Sequence, residues 1–501
     1  MKSLPSELLV LIVDNLERKD QKTCRLLSKP LHDLSTRALF SHVKVYFGLW
    51  MVYSRISQSS ETVADLKRKN NITWEILQHI SLSPKFATVV KEITVFAHLT
   101  VAGHRLGEDI FHVRTLIAAL HALPNLRAFR WHGHSPKLSQ DVLAALAQSS
   151  GSSLKQITAA NVRCLSAFNR LEELHTVDGD FYSGVPPEDE RARALQMAID
   201  GTVHTMRRLA VVGDAIWRCS IQSMANLQEL EVVLPRTAEG LGLVFEHCRS
   251  LRSLTMFTRA RDEFLSALQG NPNALPDLRA LKFIYWSNQD VFGGHHAQSL
   301  AGFIENKRSL VSLDVEIRGQ GYEACDKPLL EAIARLPHLE ILGFTLVRSA
   351  WAPGDIQFFR ERLPQRLRAL RLSVCLDQAG NVVFPREWCD LIKSLPSLRY
   401  LHVFDRLGTS DLHPQFLLYP PPSLDLFGFG AFLRWIIRIR SDGQGLHRWK
   451  YSPCWPLPKV KFRSAEDFGC AGWEWLLRWY DDDLTPRLFD WSHVHRVMLH
   501  E

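Results

Sequence analysis

The chain has 501 residues, of which 46 % are apolar and 23 % charged, the balance of a globular protein with a sizeable core. Sixty Lys and Arg against 53 Asp and Glu leave a net charge of only +7, too diffuse for a nucleic-acid groove. No stretch approaches the roughly 20 apolar residues that cross a bilayer, and the nearest, FLRWIIRI at 432–439, carries two arginines. No membrane or nucleic-acid partner is therefore expected. The nine cysteines form no CxxC, and their odd number reads as isolated buried thiols in a reducing compartment. Glu7 and Asp14 interrupt the first apolar run, so no signal peptide is read there, and the expected location is cytoplasmic and/or nuclear.

The first forty residues predict three short amphipathic helices. Ser3 is a candidate cap, Pro5 fits a first turn, and Leu8, Leu9, Ile12, Val13 and Leu16 recur at helical spacing. Asp20 is the expected cap of a second helix with Cys24, Leu26 and Leu27. Ser28 precedes a third with Leu31, Leu34, Ala38 and Leu39. Such a unit buries little surface alone and is usually completed by docking on something else. Leu4-Pro5, Glu7-Leu8-Leu9, Ile12, Leu16, Asp20 and Ser28-Lys29 fall in the order and spacing of the F-box, and CRLLSK resembles its fungal version. Gln21 stands where that family often has an apolar residue, and Leu31 where it often has an aromatic. The resemblance implies docking on the Skp adaptor of a cullin–RING ubiquitin ligase. The contact residues it implies are Leu4, Pro5, Leu8, Leu9, Ile12, Leu26, Leu27 and Lys29.

Residues 41–89 read as a junction containing a first strand, HVKVYF, with Lys67-Arg68-Lys69 as a solvated loop. From residue 90 to 419 the chain repeats apolar-x-x-apolar-x-apolar, as in LRAFRW at 126, LQELEV at 227, LRALKF at 278 and LRALRL at 367. The fourth and sixth positions alternate with polar ones, which predicts short strands with one buried face. Helical stretches that end in Leu-Pro separate the copies, such as DKPLLEAIARLP and PREWCDLIKSLP. Strand–helix alternation of this length implies parallel strands inside and helices outside. The pattern resembles a leucine-rich repeat solenoid. The expected fold class is therefore α/β: an irregular leucine-rich repeat solenoid behind a small three-helix F-box at 1–40. Irregularity is expected because the Asn/Cys ladder fits at Cys375, whereas the equivalent positions hold His134, Arg259, Trp286 and Arg318. Residues 420–501 read as degenerate repeats, LDLFGF and LHRWKY, and a Trp-rich cap. There WEWLLRW at 473–479 is expected to close the open end of the array.

No catalytic constellation emerges. Gly133-His134-Ser135 opens like a nucleophile elbow, but Lys137 stands where glycine is required. FGFGAF at 427–432 lacks the third glycine of a dinucleotide loop. Asp178-Gly179-Asp180 opens like a calcium loop, but Tyr182 breaks the ligand pattern and it reads as a turn. His132/His134 and His295-His296 read as surface or loop histidines, and Asp481–Asp483 with Asp490 as a solvated turn. No metal or cofactor is expected. Concave-face positions of the repeat strands hold Arg130, Glu229, Glu231, Thr255, Lys282, Asp314, Glu316, Arg371, Tyr400 and His402. Their alternating sign with aromatic anchors suits a protein partner. The expectation is a non-enzymatic substrate adaptor of an SCF-type ligase. The alternatives are a repeat-based scaffold acting outside a ligase, or an enzyme with an unrecognised site in 420–501.

Overall fold

The structure is a computed structural model that describes residues 4–16, 18–47, 60–98, 107–159, 165–176, 188–286, 292–318, 326–347, 353–375, 385–405, 420–430, 432–439, 448–455, 459–460 and 463–480. The chain divides into two compact units. Unit 1 comprises residues 1–211 and 218–224, and unit 2 comprises 212–217 and 225–501.

Unit 1 begins with three helices, α1 (Ser6–Asp14), α2 (Arg18–Cys24) and α3 (Lys29–Phe40). Pro5 occupies the N-cap position of α1; the expected cap Ser3 lies outside the described residues. α2 starts ahead of Asp20, which stands in its first turn instead of capping it. Ser28 does cap α3, its hydroxyl accepting from the Leu31 amide at 3.4 Å. α3 packs on both other helices around Val13 and Leu39. Gln21, the polar substitute in the F-box pattern, is buried and donates its amide to the Val13 carbonyl at 3.0 Å. That carbonyl lies in the last turn of α1, where it also accepts from the Leu16 amide at 3.2 Å, so the Gln21 amide is a second donor at the helix end.

Among the described residues six parallel strands follow: β1 (His42–Phe47), β2 (Glu92–His98), β3 (Ala128–Ser135), β4 (Gln156–Thr158), β5 (Glu173–His175) and β6 (Arg208–Val212). HVKVYF is the first strand, as its alternation requires; Val43, Val45 and Phe47 are buried, and His42, Lys44 and Tyr46 are half-buried on the other face. Lys67-Arg68-Lys69 does not form a loop. It lies inside the helix Ser60–Leu82, where Arg68 is exposed.

Unit 2 continues the same construction with β7 (Glu229–Val233), β8 (Ser253–Thr258), β9 (Ala280–Trp286), β10 (Ser312–Arg318), β11 (Ile341–Val347), β12 (Ala369–Cys375), β13 (Tyr400–Asp405) and β14 (Leu426–Phe429). These eight strands run parallel in chain order. Leu230, Leu254, Leu281, Leu313, Leu342, Leu370 and Leu401 align at the fourth motif position, all without exposed surface. The intervening helices, such as Gly294–Glu305 and Asp326–Ala334, pack on one another and bury this leucine row as one continuous core. The expected last repeat at LHRWKY departs from the series. β15 (Phe432–Ile439) pairs with β14 and β16 (Arg448–Tyr451) with β15, both antiparallel, so the array ends in a hairpin. No described helix is long and apolar enough to cross a membrane.

Candidate binding surfaces

The first surface is apolar and lies on α1 to α3. Leu4, Leu8, Leu11, Ile12, Leu26 and Leu27 are 45–87 % exposed. Pro5 and Lys29 are exposed beside them, and Leu9 is half-buried. Exposure on this scale over so short a segment marks an interaction site, because single exposed leucines are ordinary but clustered ones are not. The cause is local. α1 is apolar around most of its circumference, yet three short helices offer only one side on which to bury it, and Val13 takes that side.

The second surface is the strand face of unit 2, on which the substrate residues were expected. Fifth-position side chains form one row across the sheet: Glu231, Thr255, Lys282, Asp314, Gly343, Arg371, His402 and Gly428, each in register with the next. Strands two apart in a sheet are separated by about 9–10 Å, but Arg371 Nη2 donates to Asp314 Oδ1 at 2.7 Å. They meet because β11 places a glycine between them; a Cβ on Gly343 would lie 2.0 Å from Asp314 Oδ1. Gly428 does the same for His402, whose Nδ1 would be 2.3 Å from a Cβ there. Arg371 Nη1 also lies 2.8 Å from Glu316 Oε2, to which Thr345 donates at 2.6 Å.

This row is not presented to solvent, which corrects the expectation of an open concave face. Glu231, Thr255, Lys282, Asp314, Glu316, Arg371, Tyr400 and His402 are all buried; Glu229 remains half-buried. The C-terminal segment 463–480, here called the strap, lies on them. Its helix Ala471–Leu477, expected as an end cap, instead crosses the strand face. Trp473 packs 5.2 Å from the Tyr400 ring, and Gly472 sits against Ile341. Lys282 Nζ donates to the carbonyls of Trp475 (2.8 Å), Leu476 (3.2 Å) and Arg478 (3.1 Å), and lies 2.8 Å from Asp314 Oδ2. The last carbonyls of a helix lack internal partners and carry its negative end, so a lysine ammonium suits them. Arg478 Nη1 pairs with Glu231 at 2.5 Å, Trp479 Nε1 donates to Glu231 at 3.2 Å, and the Tyr480 hydroxyl donates to Asp314 Oδ2 at 3.0 Å. The Tyr480 ring also stacks 4.2 Å from the Arg371 guanidinium.

Burial governs the electrostatics of this layer. It pulls the Lys282 ammonium down to about 8, against the opposing pull of Asp314. It drives His402 down to about 3, so the ring is neutral. Nε2 then donates to the Gly430 carbonyl and Nδ1 accepts from the Tyr400 hydroxyl, both at 2.9 Å. Trp473, Leu476, Leu477 and Tyr480 are at most 6 % exposed. At about 1.5–3 kcal/mol for each large side chain fully buried, they hold the strap in place more strongly than the ion pairs. The ion pairs fix its register.

The third surface is the strand face of unit 1. There Arg130 donates to Glu92 at 3.0 Å and to Gln156 at 2.8 Å, with 27 % of its side chain exposed. Glu173 lies 3.1 Å from His175, and its carboxyl is held down to about 2 by the His175 hydrogen bond and the nearby charges of His175 and Arg208, although burial opposes this. Tyr46, Phe96 and His132 stack in turn across β1–β3, with centroids 5.1 and 5.5 Å apart. His295 and His296 are not in a loop: they open the helix Gly294–Glu305. There the buried His296 accepts from the Gly293 amide at 2.9 Å and lies 3.2 Å from Asp262. Among the described residues no three His, Cys, Asp or Glu group into a metal site. Cys219, Cys248 and Cys389 are buried thiols, whereas Cys470 is exposed. His134, Asp178–Asp180, Asp481–Asp483 and Asp490 have side chains outside the described residues.

The sequence reading missed Arg478 and Tyr480, the residues that grip the strand face. One signal was available: a glycine at the fifth position of LEILGF and of LDLFGF, where neighbouring copies carry long side chains. A glycine inside a strand marks the close approach of something else.

The F-box domain family matches residues 1–42. No curated protein matches the chain by sequence. Solved structures similar to the chain include two at low identity. A chain of the Rad7 and Elc1 complex from yeast is 13 % identical, with a TM-score of 0.38 over 79 % of this chain and 92 % of that one. The leucine-rich repeat-containing protein LegL7 from Legionella pneumophila is 14 % identical, with a TM-score of 0.31 over 59 % of this chain and 88 % of that one.

Proposed function

We propose that the chain is a substrate adaptor of an SCF-type cullin–RING ubiquitin ligase. The observation that carries this reading is the exposed apolar cluster Leu4, Leu8, Leu11, Ile12, Leu26 and Leu27 on helices that match the F-box domain family. F-box domains bind Skp-type adaptors, and an apolar cluster of this size is what such docking would bury. The adaptor carries no chemistry of its own, as is general for F-box and leucine-rich repeat adaptors. It acts by raising the effective concentration of a protein substrate beside the conjugating enzyme, in the cytoplasm and/or nucleus. With the strap lying on the strand face of unit 2, the half-buried polar face of unit 1 around Arg130, Gln156 and His175 is an open candidate surface for a substrate among the described residues.

The test is co-purification of a Skp-family adaptor with the full-length chain. Replacing Leu4 and Pro5 by alanine is expected to weaken capture about 30-fold, the equivalent of losing an anchor worth about 2 kcal/mol. Equal capture by the wild type and the double variant sinks the docking mode.

A further inference from the structure

We propose that the strand face of unit 2 is a peptide-binding site whose cis ligand is the strap, and that it accepts in trans a partner segment of the same chemistry. That segment is a short helix whose last carbonyls meet Lys282, followed by an arginine that meets Glu231 and a tyrosine hydroxyl that meets Asp314. The inference does not depend on the ubiquitin-ligase reading, because it concerns a different surface.

Three observations carry it. The layer under the strap is not built as a core would be. Lys282, Asp314, Glu316 and Arg371 meet there, all fully buried. Apolar residues of similar volume would generally serve stability as well or better. A charged row that reads a helix terminus, a guanidinium and a phenol instead has the selectivity of a recognition surface. The chemistry is also complementary group by group: Lys282 faces three carbonyl oxygens, and Glu231 accepts from both Arg478 and Trp479. Finally, the backbone is strained at the grip. Trp479, between the arginine and the tyrosine, has φ +74°, a left-handed conformation that a bulky side chain rarely adopts. Strain of this kind gathers at ligand clamps and switch segments. A free segment without that strain would compete for the same contacts.

The closed state dominates in the wild type, so the site shows itself when the strap is loosened and the face is left intact. The probe is a fluorescent synthetic peptide of residues 463–480, added to the full-length chain. An Arg478→Glu/Tyr480→Phe variant is expected to bind it about tenfold or more tightly than wild type, because a larger fraction of molecules is open. Adding Lys282→Met to that variant is expected to cancel the gain, and a scrambled peptide is expected not to bind. A folded variant that binds the peptide no better than wild type overturns the proposal and makes the strap a permanent layer. If the double variant does not fold, hydrogen exchange on the wild-type chain decides. Amides of 463–480 are expected to exchange as a unit about tenfold faster than those of β9–β12. Exchange of the strap only together with those strands overturns the proposal. So does a concentration-dependent dimer with unchanged peptide affinity, which would assign the face to a second copy.

Discussion

Arg130 and Arg371 occupy the same place in the same motif. LRAFRW in unit 1 and LRALRL in unit 2 put each arginine at the fifth position of a repeat strand, flanked by buried residues. Arg130 keeps 27 % of its side chain exposed and pairs with Glu92 and Gln156. Arg371 has none exposed and sits between Asp314, Glu316 and the Tyr480 ring. The motif therefore decides which face of the sheet a side chain occupies. It does not decide whether that face is free, and the repeat pattern alone is no guide to the binding surface.

The comparison can be broken most forcefully at Arg371. Replacing it with methionine strips Asp314 and Glu316 of their buried guanidinium, and unit 2 is expected to lose roughly 3–5 kcal/mol in urea unfolding. A loss below 1 kcal/mol would mean that water already reaches the row. Gly343→Ala attacks the same pair from beneath, since its Cβ would displace the Asp314 carboxylate. About 2–3 kcal/mol is expected, as for overpacking a tight site, with the loss of strap protection in hydrogen exchange as the independent readout. Unaltered protection would show that Asp314 can move without releasing Tyr480.

Acid provides the next test. The folded-state value of His402 is about 3, below its ordinary 6.5, so between these values the unfolded chain binds more protons than the folded one. The contribution of the neutral ring is whole above pH 6.5 and declines as pH falls toward 3, with a limiting slope of about 1.4 kcal/mol per pH unit. Unfolding free energies measured from pH 7 to pH 4 should show this slope in wild type and lose it in His402→Gln; parallel profiles would exclude His402 as the titrating group. The smallest effect is expected at Arg130. Its pair with Glu92 is partly exposed, and Arg130→Met should cost no more than about 1 kcal/mol, yet it should weaken substrate capture if the unit 1 face binds substrate. Full capture by that variant would move the search to another surface.

Much of the fold was legible because its signals are local. LxxLxL alternation placed β1 through β14, and Leu-Pro closed the helices at 123–124, 336–337 and 395–396. The three F-box helices followed from spacing and from the Ser28 cap. LHRWKY shows where local reading fails: it has the alternation of a strand, but alternation is the same for parallel and antiparallel pairing, and it pairs antiparallel with β15. Gln21 shows the reverse, a departure from pattern that the structure explains by a single hydrogen bond to Val13.

The amino-acid sequence by itself determined the repeat strands, which side chains share each face, the F-box helices and their exposed leucines. All of these depend on residues within a few positions of one another. Only the tertiary structure decided that one charged strand face is covered and what covers it. Lys282 meets its carbonyl partners 193–196 residues further along the chain, and Asp314 meets Tyr480 166 residues away. WEWLLRW has the amphipathic spacing to cap anything apolar; what directed it to this face was the combined match of Lys282 to a helix end, Glu231 to Arg478 and Asp314 to Tyr480. That match exists only once β7 to β10 have brought those residues into one row.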